Sequence, residues 1–342
     1  MPSTFDPTPI LTDSLRDLES SGILCAVGHG GAISTYSAGK ITAQDHARPF
    51  YIYSITKTFT ATAVLLLFER EGLSLDRTFS SFFPTPPLPA GVTIRQLLNH
   101  TGGLSDYFSS ADYQTAVREH PDEPWPYDRL MQVGLAGSPL FAPGTGWSYS
   151  NPGYALLGEL IVHLSGMDSY AYLQQALLDP LHLTDTHPFL KPDHDGQLLE
   201  GEEPSMPGDF RKRYSPGWIA PHCLISTVTD VVRFYRALFS GKLLSANSLK
   251  QMKETVDVPH PLPVPLQASY GLGVMHARNS PSGDAYGHGG GGPGYTTYAQ
   301  CHPSLCGAPF SLCFVLNRSL PRTPTEIAEK ICQAFVDSQG SR

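Results

Sequence analysis

The stretch from Ser54 to Gly72, SITKTFTATAVLLLFEREG, constrains this chain more than any other. It is helix-compatible without a break, Gly72 is placed as a C-terminal stop, and apolar or small residues fall on nearly every side of a 3.6-residue period. A helix without a wet face must be enclosed by other elements. Its strongly apolar run, Ala63 to Phe68, is far short of the ~20 residues that cross a bilayer, so the enclosure has to be protein. The chain has the length to supply it. Its 342 residues suggest about two domains and bury roughly three quarters of the unfolded surface.

Composition narrows the partners. Charged residues are 16% of the chain and the net charge is −8, with Arg211-Lys212-Arg213 as a short basic cluster. Nucleic acid is therefore not an expected partner, because phosphate binding needs a basic patch. The six cysteines are dispersed without a CxxC pair and the thirteen histidines without HExxH, so a dedicated metal site is not expected. The N-terminus, MPSTFDPTP, carries no basic and apolar leader, and the sequence as given reads as cytoplasmic, without a membrane partner.

Hydrophobic periodicity predicts a helix over 8–21 and strands over 23–29 and 32–38, joined at His29-Gly30-Gly31. Helical stretches follow at 93–99 and 153–165. A helix opens after Ser226-Thr227, and strands are predicted at 269–275, 294–301 and 310–317. Thr323-Pro324-Thr325-Glu326 reads as a capping box opening a last helix to about Ser338. Pro84, Pro86, Pro87 and Pro89 mark one loop, Pro259, Pro261, Pro263 and Pro265 another, and 185–221 reads as a long surface segment. The fold class expected is α+β, with a sheet domain from 1–75 and 215–342 and a mostly helical inserted domain, 76–214.

Three motifs carry candidate chemistry: Ser54-Ile55-Thr56-Lys57, Tyr149-Ser150-Asn151 and His288-Gly289-Gly290. Each spacing is weak alone. S-x-x-K recurs at Ser37-Ala38-Gly39-Lys40, and H-x-G recurs at His29 and His100. Local structure separates the S-x-x-K copies. Residues i and i+3 share a helix face, whereas in a strand they point to opposite faces, so Ser54 and Lys57 can meet and Ser37 and Lys40 cannot. Unpaired N–H groups at a helix start also suit a developing oxyanion. His100, Thr101 and Asp230 read as caps and hydrogen-bond anchors.

Taken in order with their surroundings, these motifs resemble the serine β-lactamase and penicillin-binding-protein superfamily, closest to its class C, DD-peptidase and esterase branch. The surroundings are Gln96-Leu97-Leu98-Asn99-His100-Thr101-Gly102-Gly103-Leu104, Phe141-Ala142-Pro143-Gly144-Thr145, Leu156-Leu157-Gly158, Ser226-Thr227 with Asp230, and Gly287 to Gly294. The likeness covers about residues 20–335. It implies a five-stranded antiparallel sheet packed by helices, with the active site at the junction with the helical domain. His288 stands where β-lactamases usually have lysine, and Gly289 where they have threonine or serine; both changes disfavour β-lactam hydrolysis.

A serine hydroxyl needs a base to act at neutral pH. Lys57 and Tyr149 are the candidates, either a desolvated lysine or a phenolate stabilised by Lys57. The resemblance implies that Ser54 is the nucleophile, that Tyr149 also protonates the leaving group, and that Asn151 orients substrate and Lys57. It implies that His288 and Gly290 line the substrate site, and that the N–H groups of Ser54 and Gly291 form the oxyanion hole. The expected activity is hydrolysis of a small ester or amide through an acyl-serine, chemistry that requires no organic cofactor. The alternatives are an acyltransferase using the same intermediate, a D-amino-acid peptidase or β-lactamase, and a non-turnover penicillin-binding sensor.

Overall fold

The structure, a computed structural model, describes residues 5–84, 88–189, 191–206, 208–219, 223–259, 267–278 and 280–340. Of the two proline loops, Pro86, Pro87, Pro261, Pro263 and Pro265 lie outside the described residues. The strands are β1 (Gly22–His29), β2 (Ala32–Gly39), β3 (Phe50–Tyr51), β4 (His187–Pro188), β5 (Leu224–Ser226), β6 (Val256–Asp257), β7 (Gln267–Tyr270), β8 (Met275–Arg278), β9 (Ala285–Gly292), β10 (Tyr295–Leu305) and β11 (Ala308–Leu316). The α-helices are α1 (Thr8–Leu18), α2 (Thr56–Glu71), α3 (Ile94–Leu98), α4 (Ala111–Glu119), α5 (Tyr127–Gly134), α6 (Asn151–Ser165), α7 (Ser169–Leu173), α8 (Val228–Phe239), α9 (Ala246–Lys253) and α10 (Glu326–Gly340).

One sheet runs β2-β1-β11-β10-β9-β8-β7-β6 with antiparallel neighbours, and a small one runs β3-β5-β4. The α+β class holds, but the large sheet has eight strands rather than five. Two misreadings account for most of the difference. The strand expected at 269–275 is a tight hairpin, β7 and β8 turning through Gly271 and Gly273, the latter at φ 76°. The unexpected β9 reads AYGHGGGG, a glycine run of low strand propensity held extended by its register with β10, from Tyr286 opposite Cys301 to Gly292 opposite Tyr295. The remaining β6 is only two residues long, too short to leave a period.

The sheet is covered on both faces, as the period of two in β1 requires. Ile23, Cys25 and Val27 join Leu11 of α1 and Ile327, Ile331 and Phe335 of α10 in one cluster; Leu24 and Ala26 join Val228 and Val231 of α8 in the other. Truncating one such side chain, as in Leu312→Ala, should cost ~2–5 kcal/mol. Helix α2 is enclosed as its composition demands: Thr56 to Leu65 are buried, and Phe59 stacks on Phe234 of α8 with centroids 3.7 Å apart. It ends on Gly72 in the left-handed conformation.

Two other expectations change. The segment 185–221 is not a surface excursion, because Leu198, Phe210 and Trp218 within it are fully buried. Its few large apolar residues wedge into the core while the Pro, Gly and charged residues make the turns between them. The box at 323–326 does not form either. The helix starts at Glu326, whose carboxylate is forked by Arg322 at 2.8 and 3.0 Å. Two charge-assisted bonds to a guanidinium outcompete one to a backbone N–H.

Candidate active site

Ser54 lies in a 3-10 turn, Tyr53–Ile55, that leads directly into α2. The small sheet holds this turn: Ile52 donates its N–H to Leu224 (3.0 Å), and Leu224 donates to the Thr56 hydroxyl (3.2 Å). Tyr53 is left-handed at φ 48°, an unfavourable conformation for a bulky residue, costing ~1–3 kcal/mol. Its side chain is buried and its hydroxyl donates to the Pro293 carbonyl just past β9. The Ser54 turn and the strand end are thus tied together. Gly290 shows why this strand is glycine: a Cβ there would stand 2.4 Å from the Ile52 carbonyl oxygen and from Thr297 Oγ1.

Lys57 follows one helical turn after Ser54, and its side chain is buried. Its Nζ donates to Asn151 Oδ1 at 2.6 Å and approaches Ser54 Oγ at 3.5 Å. It also stands 5.0 Å from the centre of the Tyr149 ring. Burial brings the ammonium down to about 8, although the charge of Asp106 works to raise it. The structure therefore brings Ser54, Lys57, Tyr149 and Asn151 together.

Asn151 is fixed from the other side by a residue that the sequence reading missed. Asp106 Oδ2 accepts from Asn151 Nδ2 (2.9 Å) and its backbone N–H (3.3 Å), while Oδ1 caps the turn Tyr107–Ser109 through the Phe108 N–H. Burial raises the Asp106 carboxyl above the usual range, countered by the Phe108 N–H and by Lys57. A line Asp106–Asn151–Lys57–Ser54 results. Locally Asp106 looks like any turn cap, and nothing in sequence points to a partner 45 residues on.

The Tyr149 hydroxyl is buried and meets no hydrogen-bond partner of ordinary geometry among the described residues. Burial pushes its phenol well above the usual range, with the Ser54 hydroxyl countering part of that rise. His288 is fully buried at the cavity wall. Its Nδ1 lies 2.6 Å from the Gly289 carbonyl, which can only accept, so the proton is on Nδ1. Nε2, 2.9 Å from Tyr270 Oη, must then accept from that hydroxyl. Burial brings its pKa down to about 3. Both ring nitrogens of His288 are engaged within the protein, and the residue stands at the cavity wall.

Beside Ser54 is a cavity of about 320 Å³ lined by Tyr149, His288, Gly289 to Gly291, Met275, Tyr298, Arg322, Thr323 and Thr325. Strand β8 pairs with β9 only as far as Gly287, so the edge of β9 beyond it is not covered by β8. A Cβ built on Gly291 meets nothing within 4 Å. At Gly289 a Cβ would stand 2.9 Å from Thr323 Oγ1, so a hydroxyl from the approach to α10 fills the space of a side chain there. Past Gly292 and Pro293 a second cavity of about 290 Å³ is lined by Phe108, Val117, Met206 and Ile219. A third depression, about 270 Å³, is lined by Leu88, Leu104 and Leu135 and by none of the candidate catalytic residues.

A helix buried from Thr56 to Leu65, a strained serine turn at its start and a buried lysine one turn on define a class. The chain belongs to the beta-lactamase family, whose model matches residues 11–328. The fold is of the β-lactamase and transpeptidase-like α+β type. Penicillin-binding protein 4* of Bacillus subtilis (strain 168) is 31% identical over 267 residues, 72% of this chain and 56% of that protein. Lovastatin esterase of Penicillium rubens is 28% identical over 244 residues, 59% of this chain and 58% of the esterase. This chain thus spans little more than half the length of these two relatives. The crystal structure of a D-stereospecific amidohydrolase from Streptomyces sp. superimposes with a TM-score of 0.81 at 28% identity, covering 94% of this chain and 97% of that one.

Proposed function

We propose that this protein is a serine hydrolase that cleaves a small ester or amide through an acyl group on Ser54. The observation that carries this reading is the position of Lys57 Nζ, 2.6 Å from Asn151 Oδ1 and 3.5 Å from Ser54 Oγ, in surroundings that lower its pKa to about 8. At neutral pH about one lysine in ten is then uncharged. The raised phenol of Tyr149 favours Lys57 over a phenolate as the base. Ser54 Oγ attacks the acyl carbon while its proton passes to Lys57 Nζ. The N–H groups of Ser54 and Gly291 receive the oxyanion. The proton returns from Lys57 through the Tyr149 hydroxyl to the leaving oxygen or nitrogen, and water then releases the acid.

The same geometry favours uncharged leaving groups. Tyr149 lines the 320 Å³ cavity, so the departing group lies there, against a neutral His288 and the side chains of Met275 and Tyr298. The guanidinium at its rim, Arg322, is already paired with Glu326. The sheet domain of 1–75 and 215–342 and the helical one of 76–214 contribute Ser54 with Lys57 and Tyr149 with Asn151 respectively. The relatives named as an esterase and an amidohydrolase support ester and amide bonds as the class.

The test is a panel of nitrophenyl esters, alkyl esters and D-amino-acid amides, assayed with and without added amines, alongside intact mass after fluorophosphonate treatment. Release of free acid with one phosphonyl group on Ser54 supports the proposal. Acyl transfer to the amine in preference to water identifies an acyltransferase, and no labelling at Ser54 defeats both.

A further inference from the structure

Tyr149 belongs to a stretch, 141–150, that forms neither helix nor strand. In such a stretch the aim of a side chain depends on particular hydrogen bonds rather than on a ladder. Here those bonds converge on one residue. The carbonyl of His100 accepts the Ser148 N–H at 3.0 Å, and its ring Nδ1 accepts the Ser150 N–H at 3.2 Å. Between these two attachments the imidazole lies against the Tyr149 ring, with centroids 4.4 Å apart and planes at 38°. His100 is buried, left-handed at φ 63°, and sits just past α3, where Asn99 closes the helix onto the Arg95 carbonyl. It does not line the 320 Å³ cavity.

We infer that His100 is a positioning residue for Tyr149: by gripping the chain on both sides of the tyrosine and backing its ring, it sets the aim of the hydroxyl that passes the proton to the leaving atom. The inference rests on the proton-handling role proposed above for Tyr149. A simple anchor would not need an imidazole. Asparagine offers an acceptor at the place of Nδ1 and tolerates a positive φ. With Nδ1 accepting, the ring proton is on Nε2, which has no hydrogen-bond partner among the described residues. Leaving a buried donor unbonded is costly. The ring is instead enclosed by aromatic neighbours, with centroids of Tyr154 at 5.2 Å and Tyr270 at 4.7 Å. Burial and the nearby Lys57 hold the imidazole neutral, which keeps Nδ1 an acceptor.

The experiment uses the leaving group as a ruler. A nitrophenolate departs without a proton, whereas an alkoxide or an amine needs one. His100→Ala should lower kcat for an alkyl ester or an amide by about 10- to 100-fold, as expected for a misplaced catalytic group, and by much less for the matching nitrophenyl ester. His100→Asn, which restores the acceptor but not the ring that backs Tyr149, should recover part of that loss. In a Tyr149→Phe background, His100→Ala should cost less than about twofold, since residues acting as one unit are not additive. Melting curves and fluorophosphonate labelling of each variant separate misfolding from mispositioning. Equal losses for all leaving groups, full additivity with Tyr149→Phe, or His100→Asn as slow as His100→Ala would each overturn the inference. A silent Tyr149→Phe would instead remove the role assigned to Tyr149, and the His100 inference with it.

Discussion

Ser37 and Lys40 repeat the spacing of Ser54 and Lys57, and the two pairs occupy opposite environments. Ser37 is on β2, at the edge of the large sheet, with its hydroxyl 3.1 Å from His46 Nε2. Lys40 lies beyond the strand, its side chain 78% exposed and 3.6 Å from Glu202. Ser54 and Lys57 are joined by a helical turn, and Lys57 is enclosed by Asn151, Tyr149 and Tyr154. Under the proposed function, spacing becomes chemistry through two further conditions. The backbone must turn both side chains to one face, and burial must make the lysine a base. The exposed pair fails both.

Ser54 gives the largest test of this contrast. Ser54→Ala should lower kcat by about 10⁴-fold or more and abolish fluorophosphonate labelling, whereas Ser37→Ala should change neither beyond about twofold. Labelling that survives in Ser54→Ala would sink the assignment. Next come the lysines. Lys57→Ala should cost about 10²-fold in kcat, as should Tyr149→Phe, and the double variant should be little slower than either. Lys40→Ala removes an exposed ion pair worth at most ~1 kcal/mol and should leave kcat unchanged. Additive losses at Lys57 and Tyr149 would show that the two do not share one proton path.

What could be read from sequence follows the same division between local and distant causes. The enclosure of α2, the hairpin of β1 and β2 and the meeting of Ser54 with Lys57 all depend on spacing within a few residues. They were legible for that reason. Strand β9 was not, because its glycines satisfy a distant requirement: Gly290 must clear Ile52 and Thr297, and no local period records it. Asp106 was missed on the same ground, since its role depends on Asn151 arriving from another element. The surroundings of His288 were not legible either. Only the fold reveals that Tyr270 and the Gly289 carbonyl already occupy its two nitrogens.

The burial that lowers the Lys57 pKa should also leave a mark on stability. A lysine near 8 in the fold and at ~10.4 in the unfolded chain binds more protons unfolded in that window, so stability rises with pH across it. The unfolding free energy of the wild type minus that of Lys57→Met should therefore increase by roughly 2–3 kcal/mol from pH 7.5 to 10. Denaturant titrations at four or five pH values would decide this, and a flat Lys57 difference would mean that the fold does not hold this lysine as a base.

The smallest effect concerns the carboxylate that accompanies each lysine. Asp106 raises the Lys57 pKa through its charge, opposing burial, so its removal should lower that pKa further below the ordinary lysine range. A base must be uncharged to act, so kcat rises with pH through its pKa, and the acid limb of the wild-type profile should lie near 8. In Asp106→Asn that limb should move to lower pH. The plateau should fall by about 10-fold, because an amide cannot accept both from Asn151 and from the Phe108 N–H, and Asn151 loses its fixed orientation. Glu202→Gln removes the carboxylate beside Lys40 and should move neither limb nor plateau. An acid limb that stays in place in Asp106→Asn, with only the plateau reduced, would mean that Asp106 serves Asn151 geometrically and does not set the charge of Lys57. A limb displaced by Glu202→Gln would mean that the exposed pair is not the inert copy its surroundings make it.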